Sequence, residues 1–397
     1  MRHVDVLVVG AGPAGLALAA RLAAGGAGRV EVLERERQAG GVPRHCRRRG
    51  FDGPGFARRQ VEAAVRAGAS VRTGVSALGW AGPLALDTVS PAGPETITAG
   101  AVVLATGARE RPRGARLVAG TRPAGVFTTG ELQQAVHLYG QYIGSRAVVV
   151  GAEAVSYAAV DTLLGAGADA VAMVTDLGRD QGGRTRGAIS RLARGIPLLT
   201  DATVTELRGH GRLSGVTLRH QGGRTGNLDC DTVVFTGDFV PDHELARRGG
   251  LDLDLGTCGP AVDGAFRTSR EGVFAVGNVL HAVESATAVA REGLRAAQHV
   301  RDHLTGAVRP PTVPLLVAPP LRWVAPNRLA PPMTYGPFVL RTAEFLARPV
   351  LTVTQDDRVL HRQRLITTAV PNRPVRMSGG WVGGVDPAGG PVRVTAG

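Results

Sequence analysis

The sequence contains no lysine: all 46 basic residues are arginine, set against 33 acidic ones, for a formal net charge of +13. Such a charge invites a nucleic-acid reading. The arginines are scattered, however, with only Arg47-Arg48-Arg49 forming a run, and aromatics, at 4%, are too few to interleave with them as a stacking platform. The excess reads as a coding bias toward arginine, and nucleic-acid binding is set aside. Cysteine is scarce too. Cys46, Cys230 and Cys258 stand far apart with no CxxC pair, which leaves a redox dithiol beside a flavin, a zinc site and a four-cysteine iron–sulfur cluster within this chain unsupported. This cysteine usage suits a cytoplasmic protein. No apolar run reaches the roughly 18 residues of a membrane helix. The apolar stretch Val4–Ala24 mimics a leader peptide, but it carries Asp5, lacks a basic cluster before it and contains a glycine motif that accounts for it. No membrane span is expected.

Glycine, by contrast, is abundant: 56 in 397 residues, a length that suits two or three domains, with 44% apolar content typical of a globular protein. The strand Val6-Leu7-Val8-Val9 runs into Gly10-Ala11-Gly12-Pro13-Ala14-Gly15. In a dinucleotide cradle Gly10 allows the tight turn, Gly12 lets the backbone approach a pyrophosphate, and Gly15 lets the helix pack on the strand. The helix N-terminus then faces the phosphates. Glu34 closes the next apolar run, Val30, Val32 and Leu33, where a carboxylate would accept hydrogen bonds from an adenosine ribose. A second copy begins at Val148-Val149-Val150-Gly151. There Glu153 stands in the place of Gly12 and Ser156 in that of Gly15, while Asp176 corresponds, within one residue, to Glu34. The first unit reads as a working cofactor site. The second reads as a doubtful nicotinamide site made of Gly151, Glu153, Ser156 and Asp176, with a carboxylate where a pyrophosphate would lie. Asp176 would favour NAD(H) over NADP(H), and helix–strand packing alone also explains Gly151.

Further along, Phe56–Ala67 reads as an amphipathic helix, and Ser70–Trp80 and Glu95–Ala99 as strands. Two buried strands end in small-residue turns, Ala101 to Ala105-Thr106-Gly107 and Asp231 to Thr236-Gly237. A third strand ends at Gly277-Asn278 ahead of a helix-compatible stretch, Ala286–Arg301. Beyond Arg301 prolines cluster at Pro310-Pro311, Pro319-Pro320 and Pro331-Pro332, and Val350–Thr354, Arg358–Ile366 and Val392–Thr395 read as short strands.

In this order the motifs resemble those of flavoproteins with two dinucleotide-binding domains, the pyridine-nucleotide-disulfide-oxidoreductase type, over about residues 4–305. The expected fold class is α/β: two Rossmann-like dinucleotide-binding domains, the second inserted in the first, plus a small β-rich C-terminal module. The resemblance implies a discontinuous FAD domain at 1–120 and 243–305, an NAD(P)-binding-like domain at 121–242, and a linker with the β-rich module at 306–397. It places FAD against Gly10, Gly12, Pro13, Ala14, Gly15, Glu34, Arg35, Gly41, Ala105, Thr106, Gly107, Gly277, Asn278 and Thr287. More narrowly, Gly40-Gly41-Val42-Pro43-Arg44-His45-Cys46 and Ala105 to Pro112 are similar to a branch holding FAD subunits of hydrogen cyanide synthase, opine oxidases and dye-linked amino-acid dehydrogenases. The chain departs from that branch in a short span between Cys46 and Gly53-Pro54, and in Asn278, where the branch has Asp.

The implied function is an FAD-dependent oxidoreductase passing a hydride through flavin N5, acting on a small amine, amino acid or hydroxy acid, as an enzyme or as the FAD subunit of a complex. The alternatives are an NAD(P)H-dependent flavin reductase serving a partner protein and a non-catalytic flavoprotein subunit. An aromatic hydroxylase shares the first motif, but the second βαβ unit argues against it. His45 is the candidate general base and Cys46 a candidate flavin contact; an oriented loop histidine and a buried small side chain are their plainer roles. Without lysine, no Lys–Glu pair can stand at N5. A small-molecule substrate and a partner subunit or second copy are the expected partners, with no metal.

Overall fold

The computed structural model describes residues 2–48, 50–182, 193–282, 284–333 and 336–397. The chain divides into two compact units. One comprises Met1–Gly41, Ala57–Ala108 and Pro241–Gly397; the other comprises Val42–Phe56 and Arg109–Val240.

In the first unit, strand β1 (Arg2–Val9) leads into helix α1 (Pro13–Ala24) and strand β2 (Val30–Glu34). β1 pairs in parallel with β2 and with Gly93–Leu104, and β2 with Ser70–Thr73. Val6, Leu7, Val8, Val32 and Leu33 are fully buried, as suits a parallel sheet covered on both faces. From Ala57 on, helix α2 (Gly53–Arg66) belongs to this unit and precedes the outer strands. The expected strand Ser70–Trp80 is two strands, Ser70–Thr73 and Ser76–Gly82, broken at Gly74. Glu95–Ala99 and the run from Ala101 are one strand, Gly93–Leu104. Gly100 interrupts the apolar pattern but not the strand: a Cβ there would lie 2.9 Å from the Asp5 carbonyl oxygen and 3.0 Å from Leu304 Cδ2. Ala85–Ser90 adds an antiparallel strand that the sequence pattern did not suggest.

The second unit carries its own parallel sheet: Val126–Thr128, Thr232–Phe235, Arg146–Val150, Asp169–Val174 and Leu198–Leu199, in that spatial order. Helix α3 (Thr129–His137) starts at a capping box made by Thr128 and Glu131. Helix α4 (Ala154–Gly165) follows the second glycine turn. The antiparallel strands Ala202–His210, Arg212–His220 and Thr225–Asp229 form a second sheet.

The chain then returns to the first unit. Val273–Ala275 pairs in parallel with Val102–Leu104, and helix α5 (Ala286–Leu304) packs along α1. Gly293 makes that approach possible, because a Cβ there would overlap the Ala14 carbonyl oxygen. Past the prolines, the described residues of 313–333 and 336–396 build β-structure around a separate apolar core that includes Leu315, Phe338, Leu340, Leu351, Val353 and Trp381. The module is tied to the segment ahead of α5. Arg341 pairs with Glu284 at 2.6 Å, and Trp323 stacks on His281 at 5.3 Å. No described helix is long and apolar enough to cross a membrane.

Candidate cofactor site

Three glycines shape the first turn in different ways. Gly10 has φ +110°, and a Cβ on it would overlap the Ala105 carbonyl oxygen. A Cβ on Gly15 would overlap the Gly10 carbonyl oxygen. Both are fixed by the protein's own packing. Gly12 is different: a Cβ there would meet nothing within 4 Å. It is the N-cap of α1, Pro13 follows, and no side chain caps the helix. Among the described residues the first-turn N–H groups thus have no side-chain cap at the positive end of the helix dipole, which is the arrangement an anionic phosphate takes.

The other predicted residues of the first unit surround this turn. Glu34 is buried at the end of β2; its Oε2 accepts from the Ala11 N–H at 3.1 Å and its Oε1 from the Glu36 N–H at 3.0 Å. Gly40 N–H donates to the Ala11 carbonyl at 2.8 Å, and a Cβ on Gly41 would sit 3.0 Å from Gly12 Cα. Ala105 N–H bonds the Val9 carbonyl, while the Thr106 hydroxyl donates to the Asp242 carbonyl at 2.7 Å. The Gly107 carbonyl in turn accepts from the Asp242 N–H at 2.9 Å. Gly277 lies against the start of α1, where a Cβ would be 2.8 Å from Ala14 Cβ. Arg35 is mostly exposed and pairs with Asp242 at 3.6 Å.

Asn278 and Thr287 are placed differently. The Asn278 amide bridges one residue twice: Nδ2 donates to the Glu284 carbonyl at 3.2 Å and Oδ1 accepts from the Glu284 N–H at 3.0 Å. An aspartate lacks the donor for the first bond, so this turn gives a local reason for Asn where the branch has Asp. Thr287 is exposed in the first turn of α5, its hydroxyl 3.2 Å from that of Ser285, the N-cap.

The second turn has the same backbone plan with different contents. Gly151 has φ +133°, and a Cβ on it would overlap Thr236 Oγ1. Glu153 is the N-cap of α4 and is buried, and its carboxylate accepts the Ser156 N–H. Ser156 Oγ accepts the Glu153 N–H at 3.1 Å and lies 2.6 Å from Thr236 Oγ1. A Cβ on Gly237 would overlap Glu153 Oε1, so that carboxylate is pressed on the Thr236-Gly237 turn. From the other side Glu110 accepts the Gly237 N–H at 3.0 Å and the Gly130 N–H at 2.9 Å. Arg116 donates to the Gly237 carbonyl at 2.8 Å. Burial raises the Glu110 carboxyl above its ordinary range despite these bonds and lowers the Arg116 guanidinium. Asp176, the expected ribose acid, is exposed.

His45 is buried in the second unit, and its Nδ1 has no hydrogen-bond partner among the described residues. Burial, reinforced by the Arg44 charge, holds its pKa down to about 4, against a hydrogen bond with Gln133 that raises it; His137 also bears on it. A neutral imidazole of such low basicity is a weak driving force for taking a proton at neutral pH. Cys46 is half-buried in the turn after Val42–Arg44, its N–H bonded to the Pro43 carbonyl at 3.2 Å. Cys230 is a buried thiol pushed up to about 11 by burial.

Residues 4–293 match the family of the pyridine nucleotide-disulphide oxidoreductases. The chain belongs to that family. Membership makes it an FAD-dependent oxidoreductase of the two-dinucleotide-domain type. The open Gly12 position, the uncapped α1 and the buried Glu34 all fit FAD in the first unit. The contents of the second turn do not fit a pyrophosphate. Among relatives, the chain is 30% identical over 270 residues to the alpha subunit of sarcosine oxidase from Rhizobium meliloti (strain 1021), covering 62% of this chain and 26% of that one. It is 29% identical over 316 residues to an opine oxidase subunit from Agrobacterium tumefaciens (strain Ach5), covering 69% and 61%. Among solved structures, T. acidophilum thioredoxin reductase superposes with a TM-score of 0.64 at 23% identity, covering 76% of this chain and 99% of that one. The chain therefore spans about a quarter of the sarcosine oxidase subunit it matches, and less than two thirds of the opine oxidase subunit.

Sequence reasoning gave no role to Glu110, Arg116, Gln133 or His137 in this oxidoreductase. Gln133 and His137 carry a usable signal. The Thr128-x-x-Glu131 box fixes where α3 starts, and a spacing of four then sets both residues on one helix face. Glu110 and Arg116 lack such a signal, because their partners lie far away in the chain.

Proposed function

We propose that this oxidoreductase is the FAD-bearing dehydrogenase or oxidase, or the FAD subunit of a complex, for a small secondary amine or amino acid. One observation carries the reading: the first glycine turn is built around an open, uncapped helix start with a buried acid beside it, in a chain similar to sarcosine and opine oxidase subunits. Bound FAD supplies a two-electron acceptor for a hydride from the substrate C–H. The chain's own part is to hold that group. The α1 N–H groups take the pyrophosphate, Glu34 the ribose hydroxyls, and Gly41, Ala105 to Gly107 and Gly277 keep the turn in shape. The domain assignment that goes with this reading is a FAD domain from 1–120 and 243–305 around an insert at 121–242. The return of Val273–Ala275 to the first sheet supports it.

An oxidised amine would leave as an imine, having given a hydride from carbon to the flavin and a proton from nitrogen to solvent water, and the two electrons must then pass to an acceptor. A partner subunit is the proposed route, since the relatives are named as subunits of oxidases. His45 is proposed as a neutral hydrogen-bond acceptor rather than a strong base. The test is anaerobic absorbance of the FAD-loaded chain with sarcosine, proline and an opine-type secondary amine in turn. Bleaching of the visible flavin band by one of them is expected. Purified chain that retains no FAD from a flavin-rich lysate would sink the reading. So would FAD that no amine or amino acid bleaches, with or without a partner subunit.

A further inference from the structure

We infer that the second dinucleotide cradle of this chain is shut from within, with the Glu153 carboxylate in the place of a pyrophosphate, so that neither NADH nor NADPH binds there. The two glycine turns of the chain make the comparison. In the first, the position of closest approach is Gly12, the helix start has no side-chain cap, and a Cβ would meet nothing within 4 Å. In the second, the corresponding residue is Glu153, whose carboxylate caps α4 by accepting the Ser156 N–H. The Ser156 N–H, already serving a carboxylate, is no longer a donor for a phosphate, and the carboxylate itself occupies the helix start.

The closure has three further supports. First, the Glu153 carboxylate reaches across to Gly237, where a Cβ would overlap its Oε1. In a working dinucleotide domain that small-residue turn gives the cofactor room. Here Glu110 and Arg116 clamp the same turn through the Gly237 N–H and carbonyl. Second, Ser156 and Thr236 are locked in an ordered chain. Thr236 Oγ1 donates to the Val150 carbonyl at 2.8 Å, Ser156 Oγ donates to Thr236 Oγ1 at 2.6 Å, and Ser156 Oγ accepts from the Glu153 N–H. Every hydroxyl at the base of the cradle is thus used internally. Third, the segment after Asp176 folds back onto the turn. Gln181 and Gly182 both donate backbone N–H groups to the Ala152 carbonyl at 3.0 Å, and the buried Gln181 side chain donates to Thr175 Oγ1 at 3.1 Å. Tyr157, on α4, donates to Asp180 at 2.8 Å. The site is therefore a packed, hydrogen-bonded plug, which a merely neglected site would not build.

The consequence rests on the proposed flavin site: electrons then enter from an organic donor and not from a nicotinamide. The inference itself can be tested without that site. Binding of NADH and NADPH to the full chain is read by nicotinamide fluorescence and by calorimetry, with FAD content recorded separately, so a chain lacking flavin would fail the proposed function and leave this test intact. For the wild-type chain no binding is expected up to millimolar nucleotide. Glu153→Gly, which restores the glycine of the first turn, should gain NADH affinity by at least about tenfold, since it frees the helix start that anions use. Glu153→Gln keeps the bulk and the cap without the charge, should fold if the glycine variant does not, and should bind no better than wild type if bulk closes the site, or part-way if charge does. Micromolar binding by the wild-type chain overturns the inference. So does a folded Glu153→Gly chain that still binds no nucleotide, since the carboxylate would then not be what closes the cradle.

Discussion

At the residue scale the first turn separates glycines needed by the fold from the one needed by the ligand. Gly10 and Gly15 have backbone carbonyls where a Cβ would go, whereas Gly12 has only open space and an ordinary φ of −81°. Gly12→Ala should therefore leave the apo chain's stability nearly unchanged, the loss of a modest N-cap amounting to about 0.5 kcal/mol. Retained FAD should fall steeply, because the new methyl group occupies the ligand's side. Gly15→Ala should lose both, with a destabilisation of about 1–3 kcal/mol from overpacking. Denaturant unfolding of the apo proteins and FAD titration separate the two effects; equal loss of stability in both variants would mean that Gly12 also serves packing. The second prediction at this scale concerns pH. His45 has its pKa held down to about 4, chiefly by burial, against an ordinary value of 6.5. The unfolded chain takes up a proton as pH falls through 6.5 and the folded one does not until about 4. The contribution is therefore complete above 6.5 and is lost across that window, to a total of about 3 kcal/mol. His45→Gln should flatten the stability–pH curve of the chain between pH 6.5 and 4. A slope identical to wild type would mean that His45 is solvated in the native state.

At the scale of elements, the site depends on how closely α1 and α5 approach. Gly293 faces the Ala14 carbonyl, and a backbone atom cannot yield as a side-chain tip can. Gly293→Ala should cost about 1–3 kcal/mol by overpacking, less about 1 kcal/mol returned by helix propensity. It should also weaken FAD by displacing the first turn of α1. Gly165→Ala at the end of α4, where a Cβ meets nothing within 4 Å, is the control and should be neutral or stabilising. Both are read by urea unfolding, and equal effects would remove the packing argument. This scale also shows what was legible in the sequence. The strand–turn–helix of the first unit could be read because each glycine answers to a steric demand within a few residues of itself, and that demand leaves glycine alone. Gly100 misled for the same reason in reverse, since its demand comes from Asp5 and Leu304, far along the chain. Glu153 could be read as a damaged position, but its reach to Gly237 depends on a strand that arrives some eighty residues later. The Asn278 bridge to Glu284 is local, yet it passes for a ligand position because only the direction of the amide tells the two uses apart.

On the scale of the whole molecule, the two units repeat one plan and differ in what fills it, so they should answer differently to the same ligand. FAD held at about a thousand times its Kd adds about 4 kcal/mol to whatever unfolds with its site. For a unit of this size that is a rise in melting temperature of about 10 °C. The expected thermogram of the chain has two transitions, with added FAD moving one and leaving the other. NADH at the same concentration should move neither, because the Glu153 carboxylate caps α4 through the Ser156 N–H where its phosphates would need to lie. The transition that FAD moves can be assigned by Gly12→Ala, which should abolish the shift, and the other by Ser156→Ala, which breaks the hydroxyl chain to Thr236 and should lower it by about 1–3 kcal/mol. A single transition that FAD moves as a whole would mean that the two units unfold together. FAD that moves nothing would remove the cofactor assignment of the Gly10 to Gly15 turn itself.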